Sequence, residues 1–111
     1  MFFAGAPGND HIIGTPFADV LAGGPCDDWI EGGPGADTLR GGTGDDALDG
    51  GKGCDLLIAG PGTDALDGGA GCNVCVGDAS DTFTNCDVVI VGGVFVVGGP
   101  NTCPCAPPLP D

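Results

Sequence analysis

Aspartate recurs every nine residues: Asp10, Asp19, Asp28, Asp37, Asp46, Asp55 and Asp64 share one register, and Asn73 and Thr82 continue it. Two residues after each of these stands an apolar side chain, in order Ile12, Leu21, Ile30, Leu39, Leu48, Leu57, Leu66 and then Cys75. Glycine opens nearly every unit, at Gly5, Gly14, Gly23, Gly32, Gly41, Gly50, Gly68 and Gly77, with Ala59 in its place once. Read in this register, nine units fill residues 5–85 without insertion or deletion. A fixed period of this kind marks a repeat architecture, in which a unit buries its apolar face only by stacking on its neighbours.

That regularity decides between order and disorder. The 111 residues hold 24 Gly, 10 Pro, one Trp and no Tyr, so large core side chains are few and folding carries a high entropic cost. Collagen would need Gly at every third position, and that pattern is absent. Sixteen acids, fifteen of them Asp, face two bases, for a formal net charge of −14. Nucleic acid and anionic membrane surfaces are therefore excluded as partners. No apolar run reaches membrane-spanning length. Asp is a turn former and a hard oxygen ligand, so its regular placement points to cation binding.

The clearest units, Gly32-Gly33-Pro34-Gly35-Ala36-Asp37-Thr38-Leu39-Arg40 and Gly41-Gly42-Thr43-Gly44-Asp45-Asp46-Ala47-Leu48-Asp49, read Gly-Gly-x-Gly-x-Asp-x-U-x, with U a large aliphatic. This closely resembles the RTX (hemolysin-type) calcium-binding nonapeptide, over about three quarters of the chain. The resemblance implies an all-β fold: a right-handed parallel β-roll, or β-solenoid, of nine nonapeptide repeats. In each unit six residues turn and three form a strand, with only U pointing inward. Two units make an eighteen-residue coil, and coils stack at about 4.8 Å, giving roughly 20 Å of roll.

Alternate units then share an edge. One edge carries Asp10, Asp28, Asp46 and Asp64, and the other Asp19, Asp37, Asp55 and Asn73. Bare carboxylates one coil apart repel, and Ca²⁺ between successive turns would remove that repulsion, with turn carbonyls completing an oxygen shell. Pairing Asp10/Asp28, Asp28/Asp46, Asp46/Asp64, Asp19/Asp37, Asp37/Asp55 and the weaker Asp55/Asn73 predicts about five or six ions. With one aliphatic per unit the core is thin, so calcium is expected to fold an otherwise disordered chain. The second unit departs from the pattern at Thr15-Pro16-Phe17, and the third at Cys26, where a distorted or weakly binding turn is expected.

Seven Cys point to an oxidising compartment. Cys54 and Cys72 occupy equivalent positions one coil apart and are expected within disulfide reach. The segment around Cys72, Cys75 and Cys86 is similar to the ends of exported bacterial members of this family, which implies a Cys75–Cys86 staple on the last turn. Cys26, Cys103 and Cys105 stay unassigned. Zinc held by Cys72, Cys75, Cys103 and Cys105 is disfavoured, because Cys72 sits on a turn while Cys75 points inward. Residues 86–99 contain two β-branched runs around Gly92-Gly93 and read as a short C-terminal β cap or an assembly segment, and 100–111 as a Pro-rich tail.

Catalysis finds little support. His11 and Ser80, the only residues of their types, fall in the first and ninth units, about four coils apart. An ice-binding face would need a ladder of outward Thr, whereas the outward positions read His11, Trp29, Ala47, Ala65 and Phe83 on one face and Val20, Thr38, Leu56 and Val74 on the other. The expectation is a non-enzymatic, calcium-binding structural protein, secreted to the extracellular space or a bacterial cell surface, that self-associates through its roll ends into a filament or matrix. The alternative is a monomeric calcium-binding module of a larger secreted protease, lipase or toxin. Met1-Phe2-Phe3 is too short for a signal peptide, so any export signal would lie outside this sequence.

Overall fold

A computed structural model describes residues 2–5, 7–91 and 94–97. Twelve short strands succeed one another: β1 (Phe2–Ala4), β2 (His11–Ile13), β3 (Val20–Ala22), β4 (Trp29–Glu31), β5 (Thr38–Arg40), β6 (Ala47–Asp49), β7 (Leu56–Ile58), β8 (Ala65–Asp67), β9 (Val74–Gly77), β10 (Thr82–Thr84), β11 (Val88–Val91) and β12 (Val94–Val97). The described residues contain no helix. Odd strands through β11 form one sheet, closed at its end by β12, and the even strands β2 to β10 form the other. From β1 to β11 the chain thus crosses between the two sheets at each turn, the winding of a β-solenoid of about five coils.

Strand pairing follows the eighteen-residue coil. Leu21 aligns with Leu39, Leu39 with Leu57, and Leu57 with Cys75 on one sheet; Ile12, Ile30, Leu48 and Leu66 align on the other. Strands β2 to β8 each spend their middle residue on the interior, and β9 spends Cys75. Leu21, Ile30, Leu39, Leu57 and Cys75 are fully buried, and Ile12, Leu48 and Leu66 nearly so. These side chains form one continuous core column between the sheets. Each contributes roughly 1.5–3 kcal/mol of burial, a thin return for so many turn residues.

The turns are held open by glycine where no other residue fits. Gly42 has φ +88°, and a Cβ there would lie 2.5 Å from the Gly24 carbonyl oxygen of the preceding coil. Cys26, at a position where later units place Gly, keeps the left-handed backbone with φ 75°. Phe17 does not, so the second turn takes a different path while the third keeps the left-handed turn of the later units.

Two corrections to the register follow. A strand, β1, precedes the first expected unit, with Phe3 paired to Leu21. More consequentially, the ninth unit is one residue short. β10 pairs Thr82 with Ala65 and Phe83 with Leu66, an offset of seventeen rather than eighteen. Phe83, expected to face outward, therefore packs against the core, and Thr82, expected on the Asp ladder, faces outward. The apolar ring decides the register, because Thr84 would leave the last inward position polar.

At the C-terminal end β11 joins β9 in parallel, and β12 turns back antiparallel on β11, as expected for a strand–turn–strand segment. Residues 98–111, which include the Pro-rich tail, Cys103 and Cys105, lie outside the described residues.

Candidate metal centre

The repeating Asp residues stand immediately before the outward residue of each strand, where turn meets sheet. Asp19, Asp28, Asp37, Asp46, Asp55, Asp64 and Asn73 are all buried, at 1–3 % relative exposure. Burying so many acids in one small molecule demands partners. Half of the requirement is met by the neighbouring coil. The backbone N–H of Asp10 donates to Asp28 Oδ1 at 2.8 Å, that of Asp28 to Asp46 Oδ1 at 2.8 Å, and that of Asp46 to Asp64 Oδ1 at 2.6 Å. On the other edge Asp19 donates to Asp37, Asp37 to Asp55, and Asp55 to Asn73, at 2.8–2.9 Å. The two edges pair as the nine-residue spacing predicts.

Both ladders run further than that spacing shows. Asp64 N–H donates to Asp81 Oδ1 at 2.7 Å, and Asn73 N–H to Asp87 Oδ2 at 2.8 Å. Asp81 thus takes the position that strict periodicity assigns to Thr82. The shortened ninth unit hid it, and the visible signal was Phe83 two residues later. Asp87 lies only fourteen residues after Asn73, so no nine-residue count reaches it.

The second carboxylate oxygen is the unusual one. Oδ2 of Asp10, Asp28, Asp37, Asp46, Asp55 and Asp64 is buried and accepts no hydrogen bond. Burial, followed by the charge of neighbouring acids, pushes Asp46 and Asp55 up to about 7 and Asp37 and Asp64 up to about 6, and raises Asp28 as well. Ionising these carboxyls is therefore costly unless a positive charge or a proton compensates them. A cation reached from inside the turns would satisfy these oxygens in their ionised form. Among the described residues no three His, Cys, Asp or Glu side chains converge. A cation here would draw on carboxylates of neighbouring coils and on turn carbonyls, an all-oxygen donor set suited to a hard divalent ion.

Asp19 and Asn73 have no such unpartnered oxygen, for different reasons. Thr15 donates to Asp19 Oδ2 from its backbone at 2.7 Å, and its hydroxyl reaches Oδ1 at 2.8 Å. Burial pushes the Asp19 carboxyl up, but the Thr15 bonds, together with the positive charge of the chain N-terminus, outweigh it and the net shift is downward. The departure of the second unit from the pattern thus satisfies its own acid. Asn73 replaces the second oxygen with an amide that donates to Gly69 O at 3.1 Å and Asn85 O at 3.4 Å.

Cys75 and Cys86 form a disulfide with Cα atoms 5.9 Å apart, joining the buried end of the core column to the last turn. Cys54 and Cys72 are also disulfide-bonded. Their pairing with each other stays a proposal. Cys26 is an exposed free thiol. His11 and Ser80 are engaged separately, His11 with Glu31 and Ser80 with Asp78 and the Gly62 carbonyl.

The family model for the RTX calcium-binding nonapeptide repeat (4 copies) matches residues 5–39, 27–53 and 40–75. No curated protein and no solved structure matches the chain significantly. The matched segments cover more than half of the sequence and coincide with the Asp ladders, and the chain belongs to this family.

Proposed function

We propose that this member of the RTX calcium-binding repeat family is a non-enzymatic extracellular structural protein that completes its fold by binding Ca²⁺ between coils. Residues 5–85 form the calcium-binding roll in this reading, 86–99 its cap or assembly segment, and 100–111 a tail. Asp10, Asp28, Asp46 and Asp64 on one edge, and Asp19, Asp37, Asp55 and Asn73 on the other, supply side-chain ligands for about five or six ions. One observation carries the reading: six buried carboxylate oxygens lack any hydrogen-bond partner. Six divalent ions would bring +12 against the formal −14. Calcium is plentiful outside cells and scarce inside, so folding would follow export.

Calorimetric titration of chelator-treated protein, followed in parallel by far-ultraviolet circular dichroism, tests this. Five or six ions taken up together with the appearance of β signal is the expected result. A native-like spectrum in excess chelator that calcium leaves unchanged would overturn it.

The filament version of this role rests on the edge strands of the roll ends, β1 and β2 at one end and β10 and β12 at the other. A second reading, a monomeric module of a larger secreted protein, draws support from β12. Its antiparallel return ends the parallel stack of the larger sheet, so a following copy could not continue it in the same sense. Sedimentation of the calcium-loaded chain separates the two: fibres or concentration-dependent growth favour the filament, and a monomer at high concentration rules it out.

A further inference from the structure

The outward row of the even-stranded sheet runs His11, Trp29, Ala47, Ala65, Thr82, one residue per coil. The His11 ring lies flat on the Trp29 ring, with centroids 4.1 Å apart and planes 9° from parallel. His11 Nε2 is hydrogen-bonded to Glu31 Oε2 at 2.7 Å. One face of Trp29 is therefore occupied by a flat nitrogen ring that is also held by a carboxylate.

Toward the next coil the row offers Trp29 acidic flanks but no ring. The next residue in the row is Ala47, too short to cover an indole. Asp67 stands to Ala47 as Glu31 stands to His11, one coil on and two residues along the strand, as the register Glu31–Asp49–Asp67 requires. Asp67 spends Oδ1 on the Gly69 N–H and the Asn85 amide. On the other flank Asp45 spends its Oδ1 on the Thr63 N–H. Each keeps a second oxygen outside those bonds. Grooves of about 560 and 170 Å³ flank the row, and Trp29, Ala47, Ala65 and Thr82 line both. Trp29 itself is 51 % exposed.

We propose that the slot beside Trp29, over Ala47, binds a flat organic cation with N–H donors, of the guanidinium or imidazolium class. Stacking on the indole supplies cation–π attraction, and the flanking carboxylates of Asp45 and Asp67 receive the N–H groups. The acidic chain favours a cation over a neutral ring of the same shape. This site lies on the outer face of the roll, uses none of the buried Asp oxygens, and goes beyond the calcium reading.

Trp29 is the only tryptophan, so its emission reports the slot directly. The calcium-loaded protein is titrated with arginine amide, and separately with citrulline amide, its neutral near-isostere. Saturable quenching at least about fivefold tighter for arginine amide is expected, and a smaller preference overturns the proposal. Ala47→His places a ring in the slot while removing no acid. With its β signal in calcium checked by circular dichroism, it should lose arginine-amide binding measured by calorimetry, and unchanged binding overturns the proposal. Sedimentation without the probe closes the test. A monomer leaves the slot to a separate molecule, whereas self-association abolished by Arg40→Gln would transfer it to a second copy and overturn the small-ligand assignment.

Discussion

Asp46→Asn should change stability in opposite directions with and without calcium. Asp46 sits in the middle of its ladder. Its Oδ1 accepts from Asp28, its N–H donates to Asp64, and its Oδ2 is buried and unpartnered. Asparagine keeps the accepting oxygen and replaces the orphan with an amide. Asn73 already shows that arrangement in this fold, its amide donating to a turn carbonyl four residues back. Without calcium the substitution removes a buried charge and an unsatisfied acceptor, a gain of about 1–3 kcal/mol. With calcium it weakens the two sites that share Asp46, the pairs with Asp28 and Asp64. At a calcium concentration about 100 times Kd each ion contributes about 2.7 kcal/mol, so loss of both costs about 5 kcal/mol. The assay is urea unfolding in saturating calcium, set beside folding driven by trimethylamine oxide in chelator, both followed by circular dichroism. The variant should unfold at lower urea in calcium and fold at lower osmolyte in chelator. Destabilisation of equal size in both would mean that Asp46 only ties the turn, and the metal argument would fail.

Acid should partly replace calcium. Carboxyl groups raised to about 6–7 in the roll hold protons that the unfolded chain releases near 4, so between these values the folded state binds more protons and its stability falls as pH rises. Chelator-treated protein should therefore gain β signal as pH drops from 7 to 4, and a flat circular dichroism profile would contradict this. Thr15→Gly removes the hydroxyl donor to Asp19, keeps the backbone N–H bond to Oδ2, and restores the glycine that the following units carry at this position; calorimetry should show tighter calcium binding than in the parent chain. Cys86→Ser opens a disulfide spanning eleven residues. The cost is about 3 kcal/mol on loop-entropy grounds, and hydrogen exchange should rise first in β10 and β11.

The solenoid and the pairing of its Asp residues were legible because one period sets three things at once: the inward Leu or Ile, the Asp two residues before it, and the glycine turn between. Legibility ended where these three came apart. In the ninth unit a one-residue shortening offers both Asp81 and Thr82 as ladder candidates, and only the packing of Phe83 against the core chooses between them. Asp87 belongs to a ladder through a shorter loop that no period describes. The β1 strand was missed for a simpler reason, since Phe2-Phe3-Ala4 has no Asp or Gly before it. Thr15 looked like a defect in the motif, yet it supplies the bonds that quiet Asp19. Such compensation depends on where a hydroxyl points, which spacing alone does not encode.

Successive repeats lie on different sheets, and this restricts how such a gene can grow. Duplicating or deleting one nine-residue unit keeps the core column intact, because every unit offers an aliphatic. It nonetheless moves every downstream residue to the opposite face of the molecule. Loss of residues 32–40, for example, would set Ala47 on the sheet of Val20 and strand Trp29 beside a different row. Copying in blocks of eighteen leaves both faces in place. The heritable unit of surface chemistry is therefore the coil, while the heritable unit of folding is half of it, and a lineage that gains or loses an odd number of repeats retains its fold but must reinvent its surface.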